Sequence, residues 1–329
     1  MQAAIPKRLV KGDCIGIVAP GSPASSPDKI LRGIGYLERL GYNIKIGRSV
    51  RQILDHSIPA QKSKPKIKER EEWGYLSAPD RIRADDINEM FDDPHVQAIF
   101  CTRGGYGSIR LLSLIHYQTI RRNPKIFVGY SDITALHLAF YAKCKLVSFA
   151  GPMVAVEMQS GMDTYTEEHF WDIITSPGKR RAISSPDDEK LQVVSSGRAE
   201  GVLLGGNLAI LSSLMGTKFI PRWDSSILFL EDVGEKIYRL DRMLAQLHHA
   251  GVLDKTLGIL LGTFTEIIRD DPSLTLDEVF THYFHSLKKP VLSNFPFGHS
   301  MPKATLPIGA LIAVNSKSNI VRILGNVVI

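Results

Sequence analysis

Residues 125–138, KIFVGYSDITALHL, pass from a short apolar run into a helical pattern with no loop between them. The run reads as a buried strand over 125–130, and the spacing after Asp132 predicts a helix. The same switch recurs. CIGIVAP at 14–20 predicts a strand, and residues 30–40 then have helical spacing that Gly41 ends. Residues 96–102 predict another strand, followed by Arg103-Gly104-Gly105-Tyr106-Gly107 and a helical pattern. Strands are also expected over 43–50 and 145–150, an amphipathic helix over 83–91 closed by Pro94, and a polar loop over 51–80. Strands that alternate with helices about every thirty residues predict an α/β fold with a parallel sheet and helices on both faces. Ligands bind such sheets at the carboxyl ends of the strands, where Ser22, Gly104 and Ser131 all fall.

A chain of 329 residues has room for two domains. The N-terminal α/β domain is expected over 1–158 and a linker over 159–196, which holds one helical segment (166–175) and the polar stretch SPGKRRAISSPDDEK. Residues 197–329 change in grain. Strands are expected near 201, at 226–232 and at 258–262, with helices after the Gly-Gly-Asn turn and over 236–248. Strand and turn alone follow Pro290. This predicts a smaller, β-rich α+β C-terminal domain with an antiparallel element.

Apolar residues make up 44% and charged residues 22%, a globular balance. The start lacks the apolar run of a signal peptide, and no stretch matches a membrane span, so a cytoplasmic protein without membrane contact is expected. Three cysteines (Cys14, Cys101, Cys144) form no CxxC pair, which argues against a disulfide framework or structural zinc. The formal charge of +6 owes much to KSKPKIKER at 62–70. Glu71 and Glu72 follow at once and no aromatic residue interleaves, so a solvated loop is expected rather than a nucleic-acid surface.

Ser131 is the candidate nucleophile. A serine on a strand-to-helix turn is lifted out of the sheet, and the helix N-terminus behind it offers free N–H groups. The pattern is G-Y-S-D, with Ile133 where a full G-x-S-x-G elbow has its second glycine, so a simple helix-capping serine is the competing reading. The RGGYG loop strengthens the first. An N–H from Gly104 or Gly105 could pair with that of Asp132 as an oxyanion hole, each donor stabilising the transition state by about 3 kcal/mol. Neither this loop nor GSPAS matches a phosphate-binding or dinucleotide motif, so no cofactor is expected. Glu231, at the end of ILFL, is the candidate orienting acid, with Asp232 and Glu235 as local competitors. His299 in FPFGHS is the candidate base, because imidazole titrates near neutral pH. His137 is expected in the core, and His248 and His249 at a helix end. No HExxH or H-x-H spacing suggests a metal. The order Ser, Glu, His is a known triad order.

With these residues in view the chain resembles the LD-carboxypeptidases, serine peptidases that include muramoyl-tetrapeptide carboxypeptidases and microcin C immunity peptidases. The likeness rests on VAPGSPAS (18–25), RADDI (83–87), CTRGGYGSIRLL (101–112), GYSDITALHLA (129–139), GGNLAILSSLMGT (205–217), LFLEDVGEKIYRLDRML (228–244) and FPFGHS (295–300). The resemblance implies an amidotransferase-like N-terminal domain, a triad of Ser131, Glu231 and His299, an oxyanion hole from Gly104 and Asp132, and a homodimer. It implies a metal-free hydrolysis that releases D-Ala from murein tetrapeptide. Recognition of a free carboxylate would fall to Arg103, with Asn207 as a polar contact. Two alternatives are a peptidyl-nucleotide substrate and a non-catalytic peptide-binding module. The former wants an aromatic residue to stack on adenine, and Trp171 reads more simply as helix packing. An ordinary α/β-hydrolase esterase fits the missing glycine and the β-rich ending poorly.

Overall fold

The computed structural model describes residues 3–55, 74–178, 181–186 and 191–329. The basic run at 62–70 lies outside them. The first sheet contains β1 (Cys14–Val18), β2 (Asn43–Ile46), β3 (Val96–Cys101), β4 (Ile126–Val128) and β5 (Ser148–Ala150). They lie in the order β5-β4-β3-β1-β2, each parallel to its neighbours. Apolar runs with no alternation form β1, β3 and β4 because helices flank this sheet and bury the strands.

The second sheet has eight strands. At its centre β8 (Arg198–Asn207), β9 (Ser226–Val233), β10 (Gly258–Thr265) and β11 (Val291–Ser293) run parallel. Antiparallel strands flank them: β13 (Leu311–Asn315), β14 (Ile320–Ile323) and β6 (Arg181–Ile183) on one side, β7 (Gln192–Ser195) on the other. The grain differs as expected: β9 is buried nearly throughout, whereas β13 alternates between covered and open faces. The antiparallel element is present, but the core of this half is parallel.

Two features depart from a simple division of the chain. Segment 159–196 carries a helix at Thr164–Thr175, whose Phe170 packs on Phe100 of β3, and strands β6 and β7, which extend the second sheet. Conversely β12 (Leu306–Ile308) crosses back and pairs antiparallel with β5 at the edge of the first sheet.

A strand over 43–50 and a loop from 51 were expected. Instead β2 stops at Ile46 and a helix runs over Arg48–Asp55. Its N-terminus is capped from a distance. The carboxylate of Asp86 accepts the Arg48 N–H at 2.8 Å, and the Ser49 N–H and hydroxyl at 2.8 Å and 2.5 Å. That cap satisfies the orphan donors of the first turn, and no local sequence signal reports it.

His137 is a core residue, as expected. Its ring lies between the Ser148 hydroxyl on Nδ1 and the Gly129 carbonyl on Nε2, each at 2.7 Å, so it steadies the strand end before Ser131. Burial holds His137 down to about 4 from an ordinary 6.5, and His169 likewise. Both rings are then neutral in the folded protein, while the unfolded chain takes up protons below about pH 6.5. Stability is therefore full above that pH and falls as pH drops toward 4, by about 3 kcal/mol per ring. Scanning calorimetry from pH 7 to 4 should show a falling Tm, with a shallower slope in His137→Gln; an unchanged slope would remove His137 from this account.

Candidate active site

Ser131 opens a short 3-10 turn, Ser131–Ile133, that leads into the helix Thr134–Cys144. Its φ is +64°, in the left-handed region that side chains other than glycine seldom occupy. A nucleophile elbow needs this strained turn to expose the hydroxyl, and a capping serine does not. No side-chain capping bond forms at this turn.

The RGGYG loop lies against it. A Cβ added at Gly104 would sit 2.9 Å from Ser131 Cβ and 3.1 Å from the Asp132 nitrogen, so only glycine allows this approach. The Asp132 carboxylate turns the other way and holds the loop. It accepts the Ser108 N–H at 2.9 Å and the Gly107 N–H at 3.3 Å, while the Ser108 hydroxyl donates to the Asp132 carbonyl at 2.5 Å. Burial pushes the Asp132 carboxyl up from its ordinary value, against the pull of those donors and of Arg83. Arg83, fully buried, donates to the carbonyls of Pro20, Gly107 (3.1 Å) and Ala78 (2.9 Å) and pairs with Asp80 at 2.5 Å. One guanidinium thus joins three loops beneath the site.

The second half carries the candidate acid and base. Glu231 lies near the carboxyl end of β9, is wholly buried, and accepts from His299 Nδ1 at 2.7 Å through Oε2. That bond fixes the tautomer and leaves Nε2 for proton transfer. The His299 ring packs on Tyr130, the residue before Ser131, with centroids 5.1 Å apart. Of the competing acids, Glu235 pairs with Arg239 at 3.4 Å. Asp232 binds Asn207 Nδ2 at 2.9 Å and the Ala209 N–H at 3.0 Å, and burial pushes it up to about 6.

Close packing between the halves occurs where β8 ends. A Cβ at Gly206 would lie 2.4 Å from Thr134 Oγ1, and the Asn207 N–H donates to that hydroxyl at 3.1 Å. The Asn207 side chain is engaged at both ends, since its Oδ1 caps the next helix at the Ile210 N–H. Asn207 therefore acts here as a cap and a strut. Arg103 is half-buried. Its guanidinium donates to the Pro23 carbonyl at 3.2 Å, and among the described residues no carboxylate pairs with it.

Gly104→Ala should lower turnover by about a hundredfold with little change in Tm, because the new methyl displaces the Ser131 turn. Parental turnover in the alanine variant would separate Gly104 from the site.

Two family models cover most of the chain: the LD-carboxypeptidase N-terminal domain matches residues 15–151 and the LD-carboxypeptidase C-terminal domain matches 200–314. A Bacillus subtilis (strain 168) protein named "Probable murein peptide carboxypeptidase" is 35% identical over 319 residues, covering 94% of this chain and 91% of its own. The solved muramoyltetrapeptide carboxypeptidase from Oxalobacter formigenes superposes with a TM-score of 0.77 at 31% identity, over 94% of this chain and 97% of that one. The microcin C7 self-immunity protein MccF of Escherichia coli is 29% identical over 334 residues, covering 93% of this chain and 92% of its own. Its wild-type structure gives a TM-score of 0.85 at 27% identity over 99% of this chain and 100% of that one. With both domain models matched in order around the Ser131 turn and the Glu231–His299 pair, the chain belongs to the LD-carboxypeptidase family, peptidase S66.

Proposed function

We propose that this protein is a serine carboxypeptidase that cleaves the L,D bond between meso-diaminopimelate and terminal D-Ala in murein tetrapeptide, in the cytoplasm, as part of cell-wall recycling. The observation that carries the reading is the 2.7 Å bond between His299 and buried Glu231, packed through Tyr130 beside a serine with φ of +64°. His299 Nε2 takes the proton from Ser131 as its Oγ attacks the diaminopimelate carbonyl. The N–H groups of Gly104 and Asp132 receive the oxyanion. His299 then protonates the departing D-Ala amine, and water resolves the acyl-enzyme with His299 as base. Arg103, whose guanidinium has a backbone carbonyl as its hydrogen-bond partner among the described residues, takes the terminal carboxylate in a charge-assisted bond. The protein works as a homodimer.

The peptidyl-nucleotide alternative wants an aromatic face free for a base. Trp171 does not supply one: its Nε1 donates to the Tyr36 hydroxyl at 2.7 Å and its ring stacks on Tyr42 at 5.2 Å. A non-catalytic peptide-binding module would have no use for an assembled acid–base pair or for a strained serine.

Purified murein tetrapeptide should release free D-Ala with EDTA present, and Ser131→Ala should release none. No release by the parent would move the assignment to another amide substrate. Glu231→Ala should reduce kcat by about 10⁴-fold while Glu235→Ala changes it less than about threefold; equal mild losses would reject Glu231 as the orienting acid.

A further inference from the structure

Beside the Glu231–His299 pair lies a buried charged cluster that the reaction above does not use. Glu157 and Lys303 are 5% and 1% exposed and pair at 2.7 Å. The Tyr130 hydroxyl donates to the same Glu157 oxygen, Oε1, at 2.7 Å, and the Met153 N–H donates to Oε2 at 2.9 Å. Lys303 Nζ also lies 4.0 Å from the centroid of the Tyr130 ring. Tyr130 is thus held at its hydroxyl by a carboxylate and over its face by an ammonium. The same ring touches His299, and Phe297 at 6.2 Å.

Stability does not account for this pair. Two charges lose their hydration on burial, and apolar side chains of similar volume often do as well. What the pair supplies is direction: charge-assisted bonds and a cation–π contact fix the plane of one ring. The cluster also spans the halves, since Glu157 follows β5 whereas Lys303 lies four residues beyond His299.

We infer that Glu157 and Lys303 are positioning residues that act through the Tyr130 ring to hold the His299 imidazole and the Ser131 turn in reacting register. This rests on the triad reading of Ser131, Glu231 and His299.

The test uses a fluorophosphonate, which reports activation of Ser131 whatever the natural substrate. Ser131 Oγ attacks phosphorus, the O–P bond forms, the P–F bond breaks, fluoride leaves and His299 takes the hydroxyl proton. Mass spectrometry should find the parent labelled at Ser131 and Ser131→Ala unlabelled. In Glu157→Met/Lys303→Met the limiting labelling rate should fall at least about tenfold, with the half-saturating concentration within about twofold. Tyr130→Phe keeps the ring and loses only its anchor, and should slow labelling about threefold. It decides the matter if the double variant does not fold. A parental limiting rate in the deciding variant overturns the inference, as does a loss confined to half-saturation. A parent unlabelled at Ser131 overturns the triad, and this inference with it. A labelled parent that releases no D-Ala leaves both standing and changes only the substrate.

Discussion

The buried carboxylate of Asp132 accepts the amide N–H groups of Gly107 and Ser108, and the Asp132 carbonyl takes the Ser108 hydroxyl. Most of the site follows from these bonds. They hold the RGGYG loop where Gly104 can press on Ser131, and so fix both proposed oxyanion donors relative to each other. They also oppose relaxation of Ser131 out of its left-handed conformation, a strain that persists only where its surroundings overdetermine it. Arg83 anchors the far side of the same loop through the Gly107 carbonyl. The carboxylate is desolvated, and its donors compensate for that cost.

The proposed acid and base come from another sheet, so their alignment with Ser131 is a packing problem. Two contacts address it. Gly206 brings the end of β8 onto Thr134, three residues past Ser131, and Tyr130 meets His299 on the other flank. Both are steric contacts between rigid elements. Sites carried on strand ends and helix starts hold geometry better than sites on long loops.

Much of this was legible in the sequence because it lies in local pattern. Largely apolar runs marked β1, β3 and β4, and a serine directly after such a run marked a candidate elbow. The local pattern left Glu231 and Glu235 as open alternatives, and the structure pairs Glu231 with His299 and Glu235 with Arg239. What escaped depends on partners far apart in the chain. The helix at Arg48–Asp55 owes its start to Asp86, and no cap stands in its own sequence. The parallel centre of the second sheet was not expected, because the strand-and-turn ending after Pro290 was given more weight than the strand–helix alternation over 201–262. Lys303 follows a proline in a stretch with no period, where a surface lysine is the ordinary expectation, yet it is buried.

The return of β12 to the first sheet has a consequence for how the protein is made. The edge of β5 waits, unpaired, until residues 306–308 have been synthesised and can add to it. On the ribosome the first half therefore emerges with an open strand edge, a liability that folded proteins ordinarily cover. Pairing across so much intervening chain also carries a large loop-closure cost and slows folding. The same connection works as a safeguard. The serine turn is translated long before Glu231 and His299, and the strand that covers the edge of β5 comes later still. The proposed triad and a finished fold thus arrive together, so a truncated chain lacks both β12 and the proposed partners of Ser131.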